Sequence, residues 1–204
     1  MDNLFFDLHQ LKYLGVGAIV GRTVRIRRPE ETIIGDHAIV DDFTYISCAL
    51  EIGRCCHIAS HVNISGGAGK VKMGDYVGVA AGCSLHAGSS DYIVVSLDLP
   101  TVPPELRFGG MIENIQLADH VLLGSHTVVL PGVQLPMGSA TTAMTVLRKQ
   151  EYEPWTLYSG MEGRKLCRRS HAQLDEHMRK LASKEFDHRL ESGSAPGLFG
   201  RSES

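Results

Sequence analysis

An aliphatic residue at every sixth position limits this chain to very few architectures. From Ile34 the series Val40, Ile46, Ile52, Ile58 and Ile64 runs without a miss. The residues that follow these, Gly35, Asp41, Ser47, Gly53, Ala59 and Ser65, are nearly all small or turn-forming. After a slip of three at "SGGAGK" the register returns at Met73, Val79 and Leu85. It resumes at Leu117, Leu123, Val129 and Leu135, falters at Thr141 and recovers at Leu147, while Val20 and Ile26 form an earlier fragment. Neither a helix (period about 3.6) nor an alternating strand (period about 2) repeats in this way. The spacing predicts an all-β solenoid in which each unit is a short strand with its aliphatic residue inward, then a turn. Three units close a triangular coil, and stacked coils share one core.

Composition narrows the setting. The 204 residues suffice for one well-buried core, and 43% hydrophobic with 21% charged residues is ordinary for a soluble globular chain. A net charge of −3 gives no global reason to expect nucleic-acid or membrane-surface binding. The basic run "GRTVRIRR" (Arg22, Arg25, Arg27, Arg28) reads as a solvated face. "MDNLFFDLHQLKYLG" lacks the basic start of a secretory signal, and no apolar stretch reaches the length of a membrane span. Five cysteines without a C-x-x-C pair suggest neither a disulfide framework nor a zinc ribbon. A cytoplasmic, reducing setting is therefore expected.

The repeat also divides the chain. Leu4, Leu8 and Leu11 predict a short amphipathic helix within residues 1–16, ended by Gly15. Residues 17–160 carry the solenoid, interrupted over 86–116 by a proline-bearing excursion. Residues 161–190 form an extension with a closing helix that has Leu174, Met178 and Leu181 at helical spacing, and 191–204 read as a disordered tail.

"GRCCHIASHVNISGG" packs Cys55, Cys56, His57 and His61 into a short stretch. Because Ile58 is an inward position, alternation turns His57 outward, and Cys56 belongs to the wall. One tetrahedral metal cannot easily collect both, so no metal site is expected. His120 and His126, six apart, occupy equivalent places on neighbouring faces.

The stretches "GRCCHIASHVNISGGAGKVKMGDYVGVAAGCSLHAGSSDY", "HVLLGSHTVVLPGVQL" and "EPWTLYSGMEGRKLCRRS" give the chain a family likeness. Over about residues 17 to 170 it resembles the hexapeptide-repeat acyltransferases, most closely the sugar O- and N-acetyltransferases of bacterial surface-polysaccharide and lipopolysaccharide biosynthesis. The resemblance implies a left-handed parallel β-helix, a homotrimer whose long loop crosses between subunits, and acetyl-CoA as cosubstrate. The acceptor would be a hydroxyl or amine of a nucleotide- or lipid-linked sugar.

Acyl transfer from a thioester needs a base for the attacking group, and histidine suits it. "CHIAS" looks like the histidine-bearing stretch of similar enzymes and offers His57. His86, where the chain leaves the coil, is the rival, and Asp91 in "GSSDY" is a candidate to orient a histidine or hold a sugar hydroxyl. The likeness places the donor along Gly124, Ser125, Thr142 and Ala143, with Arg164, Lys165 and Arg168 on its phosphates and Trp155 over the adenine. Three departures, Ser90, Pro136 and Glu162, also admit a β-helix that has become a binding scaffold without catalysis. A zinc hydratase of the γ-carbonic-anhydrase type ranks below both.

Overall fold

Each predicted unit is a strand, and the strands stack by thirds. In the computed structural model, which describes residues 3–181, three parallel sheets wrap one aliphatic core as a left-handed β-helix. The first sheet runs through Tyr13–Leu14, Thr32–Ile34, Ala49–Ile52, Lys70–Met73, Ile115–Leu117 and Gln134–Leu135. The second holds Ile19–Val20, Ile39–Val40, His57–Ile58, Gly78–Val79, Leu122–Leu123, Ala140–Thr141 and Thr156–Ser159. The third holds Arg25–Ile26, Tyr45–Ile46, Asn63–Ser65, Ser84–His86, Val128–Val129 and Val146–Leu147. Ile34, Ile46, Ile58, Ile64 and Leu85 are fully buried, as the six-residue period requires. Each such side chain contributes roughly 1.5–3 kcal/mol of burial.

The corners explain residues that the repeat left unassigned. Closing a triangle from short strands needs one left-handed residue per turn, and nine non-glycine residues among those described take that conformation. His61 (φ 61), His120 (φ 60) and His126 (φ 59) are among them. Left-handed backbone costs an L-residue about 1–2 kcal/mol. Ring contacts between successive corners offset part of this, as where Tyr76 stacks on His120 at 5.1 Å and Phe43 lies 5.0 Å from His61.

The ends differ from the sequence expectation. Where the sequence predicts a short N-terminal amphipathic helix there is one turn of 3-10 helix, Leu8–Gln10, capped by the Asp7 carboxylate, which accepts from the His9 amide at 2.9 Å. Tyr13–Leu14 already pairs with the first sheet, so the solenoid begins before residue 17. At the other end Arg164–Arg168 folds back antiparallel on Thr156–Ser159 and closes the second sheet. The compact body ends at Arg169. Taken by itself, the segment that follows contains the helix Leu174–Leu181, with Leu174, Met178 and Leu181 half-buried. The expected tail 191–204 lies outside the described residues. No described helix is long and apolar enough to cross a membrane.

The excursion leaves from the third sheet just after His86 and returns to the first at Ile115. Gly88–Ser89 pairs antiparallel with Met111–Ile112, and Leu97 bridges to Phe108. Lys70–Met73 pairs directly with Ile115–Leu117, so the stack continues beneath the loop as if it were absent.

Candidate active site

The cysteine–histidine cluster separates once it is wound into a coil. Cys55 takes a left-handed corner (φ 53), Cys56 is buried, His57 stands outward on the second sheet and His61 takes the next corner. The Cys56 thiol donates to the Gly74 carbonyl at 3.0 Å. Burial pushes the Cys48 and Cys56 thiols up to about 11, and Cys83 rises for the same reason. No group of three histidine, cysteine or acidic side chains that could hold a metal occurs among the described residues. A soluble disulfide reagent at pH 8 is expected to label exposed Cys167 in the native protein and to spare Cys48, Cys56 and Cys83 until unfolding. Fast native labelling of Cys56 would contradict its place in the wall.

Two histidines have the chemistry of a base, and they stand on different sheets. His57 Nε2 lies 2.8 Å from Asp41 Oδ2, with both side chains well exposed (55% and 42%). Asp41 comes from the preceding coil, two residues beyond Ile39, the direct neighbour of His57. His86 ends the Ser84–His86 strand, and its Nδ1 lies 2.8 Å from Ser65 Oγ on the adjacent strand. His86 is half-buried, and desolvation of the imidazolium holds its pKa below the ordinary histidine value. With Nδ1 engaged by Ser65, Nε2 is the ring nitrogen left for a reacting group.

Asp91 does not pair with either histidine. Its Oδ1 accepts the amides of Ile93 and Val94 at 2.8 and 3.0 Å, which folds the start of the excursion and lowers its carboxyl pKa. Sequence reasoning missed both partners, Asp41 and Ser65.

The expected donor residues fall on one corner of successive coils. Gly124 and Ser125 turn from the second sheet to the third, and Thr142 and Ala143 do the same one coil later. The Gly124 amide donates to Thr141 Oγ1 (2.9 Å) and the Thr142 amide to the Tyr158 carbonyl (3.0 Å). The Ser125 and Ala143 amides have no acceptor among the described residues. Two N–H groups a coil apart, without an acceptor among the described residues, suit an extended chain of amide carbonyls.

The basic cap is partly neutralised. Arg164 pairs with Glu162 (2.7 Å), while Lys165 and Arg168 share Glu153 (2.7 and 3.2 Å), all exposed. Trp155 occupies a left-handed corner (φ 51), packs over Gly138 and stacks 6.2 Å from the His120 ring.

The sequence is similar to that of one curated relative. The dTDP-4-amino-4,6-dideoxy-D-glucose acyltransferase of Escherichia coli is 28% identical over 183 residues, spanning 84% of this chain and 92% of its own length. Over most of its length the chain is thus similar to an acyltransferase. Solved acyltransferase structures share its fold. AntD, an N-acyltransferase from Bacillus cereus, superposes in complex with dTDP and 3-hydroxybutyryl-CoA with a TM-score of 0.79 at 24% identity. That match covers 89% of this chain and all (100%) of AntD. A point mutant of AntD holding dTDP-4-amino-4,6-dideoxyglucose and coenzyme A gives a TM-score of 0.78 at 24% identity, over 88% and 97% of the two chains. No protein-family profile matches the sequence. The chain thus shares the fold of these solved structures and carries its own set of polar side chains.

Proposed function

We propose that this acyltransferase moves an acyl group, acetyl in the first instance, from coenzyme A to the amine of a nucleotide-linked amino sugar. The observation that carries this is His86, half-buried, fixed by Ser65 and placed where the excursion leaves the coil. The amine nitrogen attacks the thioester carbonyl, forming the C–N bond, and His86 Nε2 takes its proton. A backbone N–H holds the tetrahedral oxyanion. Collapse breaks the C–S bond, and the imidazolium returns the proton to the departing thiolate. Burial supports this role, because a neutral imidazole is the form that accepts a proton. Ser125 and Ala143 receive the pantetheine carbonyls through their open amides.

The enzyme works in this reading as a cytoplasmic homotrimer. Tyr92, Ile93, Val95 and Phe108 are exposed in the single chain, and a loop lying across a neighbouring subunit would cover them. Light scattering is expected to give three times the chain mass.

Titration calorimetry with coenzyme A, followed by mass spectrometry of a nucleotide-linked 4-amino sugar incubated with acetyl-CoA, tests the reading. The expected result is donor binding and gain of one acyl group on nitrogen. An absence of coenzyme A binding at millimolar concentration would leave only the non-catalytic scaffold.

A further inference from the structure

The basic run near the N-terminus has no role in the chemistry above, yet the coil places it in line with His86. On the outer surface of the third sheet, Arg25 pairs with Tyr45 and Tyr45 with Asn63. Two positions further along the same strands, that register aligns Arg27, Ser47 and Ser65, and Ser65 pairs with His86. All alternate with the buried Ile26, Ile46, Ile64 and Leu85, so their side chains share the outer face. The strip therefore carries cations at one end, small hydroxyls between, and the candidate base at the other. Parallel strands lie about 4.8 Å apart, so the three steps from Arg27 to His86 span roughly 14 Å. A hexose ring followed by a diphosphate covers a comparable length.

Charge pairing separates these arginines from the others of the run. Arg28 is matched with Glu31, and Arg22 lies near Asp42. Arg25 and Arg27 have no carboxylate partner among the described residues; both are exposed, and Arg25 lies over the Phe5 ring at 5.8 Å. An exposed guanidinium without a carboxylate keeps its planar donor fork open, and that fork matches phosphate oxygens two at a time. Tyr45, half-buried beside Arg25, offers a ring edge at the same end of the strip.

We infer that Arg25 and Arg27 bind the diphosphate of the acceptor, which fixes the acceptor as a nucleoside-diphosphate sugar laid along the third sheet with its amine toward His86. This inference rests on the acyl-transfer reading, and it assigns the phosphate-binding ends of donor and acceptor to separate places. The acceptor diphosphate goes to the first coil, and the coenzyme A phosphates go to the basic cap around Arg164 and Lys165.

Calorimetry with a nucleoside diphosphate alone, dTDP, on the full-length protein tests it. The Arg25→Ala/Arg27→Ala variant is expected to bind dTDP about 10- to 100-fold more weakly, the usual loss for charged hydrogen bonds. Its affinity for coenzyme A should match the wild type, which also certifies the fold. Arg179→Ala, which removes a charge from the C-terminal helix, is the control and should bind dTDP normally. Raising the salt should weaken dTDP binding in the wild type and have less effect in the double variant. Wild-type dTDP affinity in the double variant would overturn the inference and leave the acyl-transfer reading standing. If the wild type binds coenzyme A and acylates a free amino sugar but does not bind dTDP, both the strip and the nucleotide-linked acceptor are overturned.

Discussion

Replacing His86 with alanine is expected to lower turnover by about 10²–10⁴-fold, the usual worth of a positioned general base. The side chain is half-buried on an outward position, so the coil should survive its loss, and circular dichroism of the variant checks that. The pH profile gives a second readout. Burial disfavours the imidazolium, so the base form persists below the ordinary histidine range, and the acid limb of kcat/KM should lie under pH 6.5. The same shift is a stability term with a definite sign. Between the lowered folded pKa and about 6.5 the unfolded chain binds more protons, so this contribution is present above the window and is lost as pH falls through it. An active His86→Ala enzyme together with an inactive His57→Ala enzyme would transfer the role to the Asp41–His57 pair.

The second large effect is expected at Gly66. Its φ of +150 is a region that side chains avoid, and a Cβ there would lie 2.6 Å from the carbonyl carbon and Cβ of Ala87. Ala87 is the fully buried first residue of the excursion, directly after His86, and its amide donates to the Ser65 carbonyl at 2.7 Å. Gly66→Val therefore adds backbone strain of about 1–3 kcal/mol to a similar overpacking term. A fall of several degrees in Tm is expected, with loss of activity beyond what the unfolded fraction explains, because the clash falls between the two residues that hold the histidine in place. A variant with wild-type Tm and turnover would show that the root of the loop tolerates displacement.

The period of six made the solenoid readable because burial acts on every coil in the same way: Ile46 and Ile64 report one core from neighbouring turns. The burial of Cys56 and the outward turn of His57 followed from that rule alone. Partners across coils were harder to find. Ile39 neighbours His57 at a separation of eighteen residues, but the partner Asp41 is the residue two further on. Ser65 and His86 are twenty-one apart because "SGGAGK" lengthens that turn by three. Counting by coils with the slip included would have found both. The excursion carries no period, so neither its antiparallel pairing nor the use of Asp91 as a turn-former could be read from spacing.

The direct pairing of Lys70–Met73 with Ile115–Leu117 has a consequence for how such an enzyme can change. The excursion between His86 and Ile115 is an interchangeable cassette: the entropy of closing a loop grows only with the logarithm of its length, so a longer or shorter insert scarcely taxes the stack. In the proposed reading, donor handling lies on the corners beyond it, in a different part of the chain. The sequence of the loop and the integrity of the stack can therefore diverge at different speeds within one lineage.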